Sequence, residues 1–246
     1  MTETMIAVPG IGEMHSPTPR GILKIVADQF PKGKVVAEQF NYSNNYGPVG
    51  GADNGQSYDE NLLDAVASLV KRIRECPNVV ILVGYSAGAH VVSLLLEEIG
   101  QGHHRDLIIS GVILIANPLR AVIDSPPAGF GVAGQHRPFP ANIPFIDVAS
   151  PADIICCSDR FSPIRGFSNV SKTFSSSTKS QWSAKYIEAA RAGKNQQWFN
   201  PLAFGAFTRA MIGLGGYLSG IEHGDWYVTS GAAARAGQQL RSRIGL

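Results

Sequence analysis

Short apolar runs alternate with amphipathic stretches between Met5 and Val148. Val79–Val83 is a continuous apolar run, which is typical of a strand covered on both faces. By contrast, the apolar positions between Ile22 and Phe30 recur at helical spacing. The runs predicted as strands are Met5–Val8, Lys34–Gln39, Val79–Val83, Gly111–Ala116 and Pro144–Val148. Strands and helices that alternate in this way indicate an α/β fold, with a parallel sheet between two layers of helices.

The longest amphipathic stretch has a recognisable start. Ser57 is followed three residues later by Glu60, which is the capping-box pattern of a helix N-terminus. The apolar residues behind it form one stripe: Leu62, Leu63, Val66, Leu69, Val70 and Ile73. A loop rich in Asn and Gly precedes this helix, and another helix is predicted after the Val79–Val83 strand, ending near Ile99.

The pattern changes after Asp153. Within residues 154–221 the strand-like runs stop, helical spacing takes over, and eight basic residues stand against two acidic ones. We interpret residues 154–221 as a helical insertion or cap, and residues 1–153 with 222–246 as the core domain. The large apolar residues of the insertion either line a groove for an apolar substrate or pack its own core. The groove hypothesis assigns substrate contacts to Trp198, Phe204 and Phe207.

Composition and charge exclude several classes of protein. With 44% hydrophobic and 16% charged residues, the chain is neither disordered nor a coiled coil. A formal net charge of +2 is too balanced for a protein whose role is to bind nucleic acid. The three cysteines are odd in number, and Cys156 and Cys157 are adjacent, so no disulfide framework is expected.

The N-terminus lacks the basic segment and the long apolar run of a signal peptide. We therefore expect synthesis in the cytoplasm without export by the standard route. Pro201–Ile221 is long enough to cross a membrane, but Arg209 near its middle would cost about 2.5–3.5 kcal/mol on insertion. We interpret this segment as a buried or interfacial helix, with no integral membrane span.

The strongest chemical signal is the sequence Gly84-Tyr85-Ser86-Ala87-Gly88, which has the form G-x-S-x-G. It directly follows a predicted strand and precedes a predicted helix, which is the context of a nucleophile elbow. A tight strand–turn–helix connection lifts the Ser86 hydroxyl clear of the sheet, and the two flanking glycines let strand and helix approach closely. Ser86 is therefore the predicted nucleophile.

A serine hydroxyl needs a base, and in this architecture the chain order is Ser, acid, His. Asp153 lies five residues beyond the last predicted strand, and His223 is the only one of six histidines that follows it. We predict these two as acid and base. The alternative acids are Asp147, inside the predicted strand, Asp124, which precedes it, and Asp159.

The oxyanion hole is expected to use the backbone N–H of Ala87 and one N–H from the loop after the first strand. In that loop Gly10 and Gly12 allow the backbone to approach a substrate, and we assign the second donor to Ile11.

No metal or cofactor is expected. His103, His104 and Asp106 lie in an exposed turn, the adjacent cysteines have no partners at zinc spacing, and no phosphate-binding loop is present.

The segment from Cys76-Pro77 to Gly88 resembles the cutinase superfamily, as does the Cys156 that follows Asp153 by three residues. This resemblance implies a cutinase-like α/β-hydrolase with a serine nucleophile. In secreted cutinases both cysteines are disulfide-bonded. Here no cysteine precedes Cys76, and Ala149 stands where the second partner would be, as expected of a relative that folds in a reducing cytosol.

A second resemblance is to the lysin B family of mycobacteriophages, which are mycolylarabinogalactan esterases. It is carried by the Gly10-Ile11-Gly12 loop, the Gly-Tyr-Ser elbow, Asn117-Pro118, and a helical stretch between the acid and the base. It implies hydrolysis of the ester between mycolic acid and arabinogalactan, at the cell envelope after release by lysis. With this resemblance we add Tyr85 to the expected substrate contacts.

Two other functions stay open. One is a cutinase- or lipase-like carboxylesterase that acts on other lipid esters. The other is a non-catalytic phage structural or binding protein on the same fold, against which the complete set of Ser86, Asp153 and His223 argues.

Overall fold

The computed structural model describes residues 2–46, 56–122, 129–171 and 220–246, together with Ala184 and Glu188. Within these residues five parallel strands form one sheet in the order β2-β1-β3-β4-β5. The strands are β1 (Glu3–Val8), β2 (Val35–Gln39), β3 (Val80–Tyr85), β4 (Ile109–Ile115) and β5 (Phe145–Val148). The helices are α1 (Gly21–Ala27), α2 (Tyr58–Arg74), α3 (Ala87–Gly100), α4 (Pro163–Ser171), α5 (Trp226–Thr229) and α6 (Ala232–Ile244), with a π-helical turn at Ile221–Asp225.

All five strands predicted from apolar runs are present, with ends shifted by one or two residues. The central strand β3 continues through Gly84 and Tyr85, so the first two residues of the serine motif belong to the sheet.

The predicted capping box is also confirmed. The Glu60 N–H donates to Ser57 Oγ at 3.3 Å, and the Ser57 N–H donates to Glu60 Oε2 at 2.7 Å, so both partners fix the first turn of α2.

Two apolar cores cover the two faces of the sheet. On one face, the buried stripes of α2 and α3 pack against alternate residues of the strands, including Ile6, Leu82 and Leu114. On the other, α1, α5 and α6 cover Met5, Ile81 and other residues of opposite parity. Because both faces are buried, the strands carry continuous apolar runs. This doubly covered parallel sheet, with the serine turn after its central strand, confirms the predicted α/β-hydrolase fold.

The strand register brings the functional loops to one edge. Val8 of β1 lies beside Gly84 of β3, and Ile115 of β4 lies between Tyr85 and Val148 of β5. The loops that follow these strands therefore all leave the sheet at its carboxyl end. They carry the predicted nucleophile, the predicted oxyanion loop and the predicted acid.

The first part of the predicted insertion is attached to the core through a buried arginine. Arg165 of α4 donates to the carbonyl oxygens of Gly131, Phe130 and Ser158, and its guanidinium lies 3.5 Å from the centroid of the Phe130 ring. The remainder of the predicted insertion, with Trp198, Phe204 and Phe207, lies outside the described residues. No helix in the described ranges is both long and apolar enough to span a membrane.

Candidate active site

Ser86 occupies a sharp turn between β3 and α3. Its backbone has φ 54° and ψ −118°, which is a strained conformation for a residue other than glycine. The neighbouring glycines make the turn possible. A Cβ at Gly84 would lie 2.6 Å from Ala89 Cα, and a Cβ at Gly88 would overlap the carbonyl oxygen of Val8. The turn therefore has the geometry of a nucleophile elbow.

His223 lies on the π-helical turn that precedes α5, and its ring contacts both Ser86 and Asp153. Its Nε2 is 2.7 Å from Ser86 Oγ, and its Nδ1 is 2.9 Å from Asp153 Oδ2. Because an ionised carboxylate only accepts, we assign the ring proton to Nδ1, which leaves Nε2 to accept from the serine hydroxyl. The three side chains thus form a continuous hydrogen-bonded relay, although 70 positions separate Asp153 from His223.

Asp153 is held by donors on both of its oxygens. The Ile155 N–H donates to Oδ1 at 3.0 Å, whereas the Tyr227 hydroxyl donates to Oδ2 at 2.8 Å, the oxygen that faces His223. The Asp153 side chain is 1% exposed, so these bonds replace the water that the carboxylate loses. They also set its orientation toward the imidazole.

The alternative acids occupy other environments. Asp147 lies on β5, where its Oδ2 is 3.4 Å from Nε of the buried Arg120. Burial raises the pKa of Asp147 to about 7, although the positive charge of Arg120 opposes this change. Asp159 accepts the N–H of Phe161 two residues away, and Asp124 lies outside the described residues. The carboxylate that contacts His223 is that of Asp153.

Tyr227 is a component of the site that the sequence motifs do not indicate. It is fully buried, donates to Asp153, and accepts the N–H of Ser150 at 3.1 Å. Burial, followed by the nearby Cys156 and Asp153, raises the pKa of Tyr227 well above its usual value, so the hydroxyl keeps its proton. Its position four residues after His223 could have been a signal, because residues at that spacing on a helix share a face.

Substitution of Tyr227 by phenylalanine should lower kcat about ten- to a hundredfold. The change removes a hydrogen bond to a charged acceptor, worth about 1.5–3 kcal/mol, and leaves the aromatic packing intact. Steady-state kinetics on p-nitrophenyl butyrate would measure the effect. Tyr58→Phe is the matched control, because its buried hydroxyl bonds His90 in the other core; an equal loss of kcat there would contradict this assignment.

The two predicted oxyanion donors flank the serine. Ala87 is the first residue of α3, so its N–H has no acceptor within the helix. A Cβ at Gly10 would lie 3.2 Å from Ser86 Cβ, which places the loop after β1 directly against the nucleophile. In this loop the Gly10 and Gly12 N–H groups donate to Glu13 Oε2 and to the Asn44 carbonyl oxygen. The Ile11 N–H, between these two in the sequence, stays the predicted second donor.

Tyr85, a predicted substrate contact, bonds the turn that carries His223, and its contact with a substrate stays a prediction. It is 9% exposed, and its hydroxyl donates to the His223 carbonyl oxygen at 2.5 Å. Its ring centroid lies 5.4 Å from that of the imidazole. Tyr85 thus links the end of β3 to the turn that carries His223.

The three cysteines are unpaired in the structure. Cys156 and Cys157 have their sulfur atoms 3.9 Å apart, which is well beyond the length of about 2.05 Å for a disulfide bond. Thiol titration of the denatured, unreduced protein should therefore report three free cysteines. A lower count, with the mass deficit of a bridge, would contradict this prediction.

In the histidine-rich turn that resembles a metal cluster, His104 and Asp106 contact other side chains. His104 Nε2 lies 2.7 Å from Glu98, and Asp106 pairs with Arg74 at 2.7 Å. Among the residues that the structure describes, no group of histidine, cysteine and carboxylate side chains is arranged to hold a metal ion.

The fold and the elbow together define an α/β-hydrolase. No family model and no curated protein match the chain. A cutinase-like protein from Cryptococcus sp. is similar in structure at 15% identity and a TM-score of 0.44, over 80% of this chain and 92% of that one. Two acetyl xylan esterase structures match at 16% and 20% identity, with TM-scores of 0.44 and 0.41. They cover 78% of this chain and 98% and 94% of their own. Similarities at this level do not assign the chain to a family.

Proposed function

We propose that this protein is a serine hydrolase of carboxylic esters. The observation that carries the proposal is the relay from Ser86 Oγ through His223 to Asp153, with distances of 2.7 and 2.9 Å. Its support is the combination of a strained elbow serine, an oriented imidazole and a buried carboxylate, which together activate a hydroxyl.

The reaction follows from the positions of these groups. As Ser86 Oγ attacks the ester carbonyl carbon, His223 Nε2 takes its proton, and the Asp153 carboxylate stabilises the resulting imidazolium. The carbonyl oxygen becomes an oxyanion, for which the Ala87 and Ile11 N–H groups are the proposed donors. His223 then returns the proton to the leaving alcohol as the C–O bond breaks, which leaves an acyl group on Ser86. Water, deprotonated by the same imidazole, releases the acid and restores the serine.

The competing function is a non-catalytic binding protein on the same fold. Mixing purified protein with p-nitrophenyl butyrate distinguishes the two. An esterase releases p-nitrophenol with turnover, and a burst of about one equivalent appears when deacylation is slower than acylation. Release no faster than that caused by an equal mass of an unrelated protein would exclude the esterase.

For the natural substrate we propose a long-chain lipid ester, and specifically the ester that joins mycolic acid to arabinogalactan. The support is the lysin B resemblance of the elbow and of the Gly10–Gly12 loop. The apolar and basic composition of residues 154–221 agrees with a lipid substrate at an anionic envelope. Each methylene that the acyl chain buries would contribute about 0.8 kcal/mol.

The substrate proposal is tested on mycobacterial cell-wall arabinogalactan. Purified protein should release free mycolic acids, measured by lipid analysis, and the Ser86→Ala protein serves as the control. Hydrolysis of soluble or micellar esters without release of mycolic acids would favour a cutinase- or lipase-like enzyme instead.

A further inference from the structure

Glu13 is a partly buried acid beside the active site that has no part in the relay. It lies in the loop after β1, and its Oε2 accepts the N–H of Gly10 at 2.7 Å. The Glu13 N–H in turn points back to the Gly10 carbonyl oxygen at 3.4 Å. The side chain and the backbone of Glu13 therefore close a four-residue turn with Ile11 and Gly12 at its centre.

The same turn is tied to the chain segment that follows β2. The Asn44 amide donates to the carbonyl oxygens of Gly10 and Glu13, at 2.7 and 2.9 Å. The Asn44 carbonyl oxygen accepts the Gly12 N–H at 3.1 Å. Both ends of the turn are thus fixed, and the backbone amides on either side of Ile11 already have acceptors.

We propose that Glu13 is a positioning residue for the oxyanion hole. Its carboxylate holds the turn in the shape that directs the Ile11 N–H toward the carbonyl oxygen of a substrate bound at Ser86. This inference rests on the proposed esterase function. Gly10 lies close to Ser86, so a small change in the shape of the turn would alter the distance from the Ile11 N–H to the oxyanion. Oxyanion donors stabilise the transition state only when they are oriented before the reaction.

The electrostatic surroundings of Glu13 permit a second effect, which the test must separate from the first. Burial raises the pKa of Glu13, whereas the Gly10 N–H and the charge of a protonated His223 lower it. The buried Tyr42 hydroxyl also interacts with this carboxylate, and burial raises the pKa of Tyr42. A charged Glu13 could therefore act either through the Gly10 N–H or through the imidazolium that forms in the reaction.

Two substitutions distinguish these effects. Glu13→Gln keeps an oxygen that accepts the Gly10 N–H but removes the charge, whereas Glu13→Ala removes both. We expect Glu13→Ala to lower kcat about ten- to a hundredfold with little change in KM, which is less than the 10²–10³-fold cost of deleting an oxyanion donor. Glu13→Gln should stay within about threefold of the wild-type kcat, since a neutral oxygen can still accept the bond.

Glu38→Ala is the matched control. Glu38 is a partly buried glutamate on β2 whose carboxylate pairs with Arg72 at 2.6 Å, so its removal should affect thermal stability and not kcat. Thermal melts of every variant separate loss of folding from loss of activity. If Glu13→Ala melts below the assay temperature, Glu13→Met takes its place in the comparison with Glu13→Gln, because methionine fills a similar volume but offers no carboxylate or amide oxygen to the Gly10 N–H.

The outcomes separate this proposal from the esterase function. Equal losses of kcat in Glu13→Gln and Glu13→Ala would show that the charge matters and would overturn the positioning role. An unchanged kcat in a folded Glu13→Ala protein, or a change in KM alone, would also overturn it while leaving the esterase intact. A wild-type protein without hydrolysis would overturn both.

Discussion

Replacement of Ser86 by alanine is expected to abolish ester hydrolysis and to leave the fold intact. Loss of the nucleophile in a serine-protease triad lowers kcat by about 10⁶, and a similar loss is expected here. The folded state should persist because alanine has the same backbone requirements as serine at this turn. The side chain loses only an oxygen that bonds His223.

The measurement is the steady-state rate on p-nitrophenyl butyrate, accompanied by a thermal melt. Ser93→Ala is the matched control, because Ser93 is buried on the helix that follows Ser86 and its hydroxyl has no hydrogen-bond partner among the described residues. The control should keep wild-type activity. Activity near the wild-type level in the Ser86→Ala protein would rule out the serine mechanism.

Asp153→Asn should lower kcat by about 10⁴, the loss seen when a triad histidine is held in the wrong tautomer. The Ile155 N–H would keep the asparagine oxygen on its own side, so the amide nitrogen would face His223 and Tyr227. That nitrogen donates, which would force His223 Nδ1 to accept and leave the ring proton on Nε2, against the serine. The imidazole could then no longer act as the base.

Asp147→Asn and Asp159→Asn are the comparisons for this prediction. Asp147 pairs with Arg120, and Asp159 contacts its own loop, so neither change should alter the relay. If one of these variants were inactive while Asp153→Asn retained activity, the acid would be assigned to the wrong residue.

Much of the fold could be predicted because its signals are local. A strand buried on both faces must be apolar throughout, so the runs around Ile6, Leu82 and Leu114 mark the sheet directly. The capping box at Ser57 likewise places both partners within a single turn of helix. The ends of the strands are not set by local signals, because continuation of β3 through Gly84 and Tyr85 depends on its pairing with β1 and β4.

The residues around the triad could not be predicted in the same way. Tyr227 can donate to Asp153 because the turn that carries His223 and the helix after it lie against the loop that carries Asp153. The hydrogen bond between Glu13 and Gly10 forms within a turn that is also bonded to Asn44, a residue of the segment after β2. The bond from the Tyr85 hydroxyl to the His223 carbonyl oxygen likewise joins residues that are far apart in the sequence.

The strand pattern, the nucleophile motif and the order of Ser86, Asp153 and His223 along the chain can all be recognised in the amino-acid sequence. Each of these depends on residue type and on the spacing of neighbours along the chain. The side chains that orient His223 and Asp153 and that shape the predicted oxyanion loop come together only in the folded protein. Those contacts join residues many positions apart, and a hydrogen bond forms only where folding brings a donor within about 3 Å of an acceptor at a suitable angle.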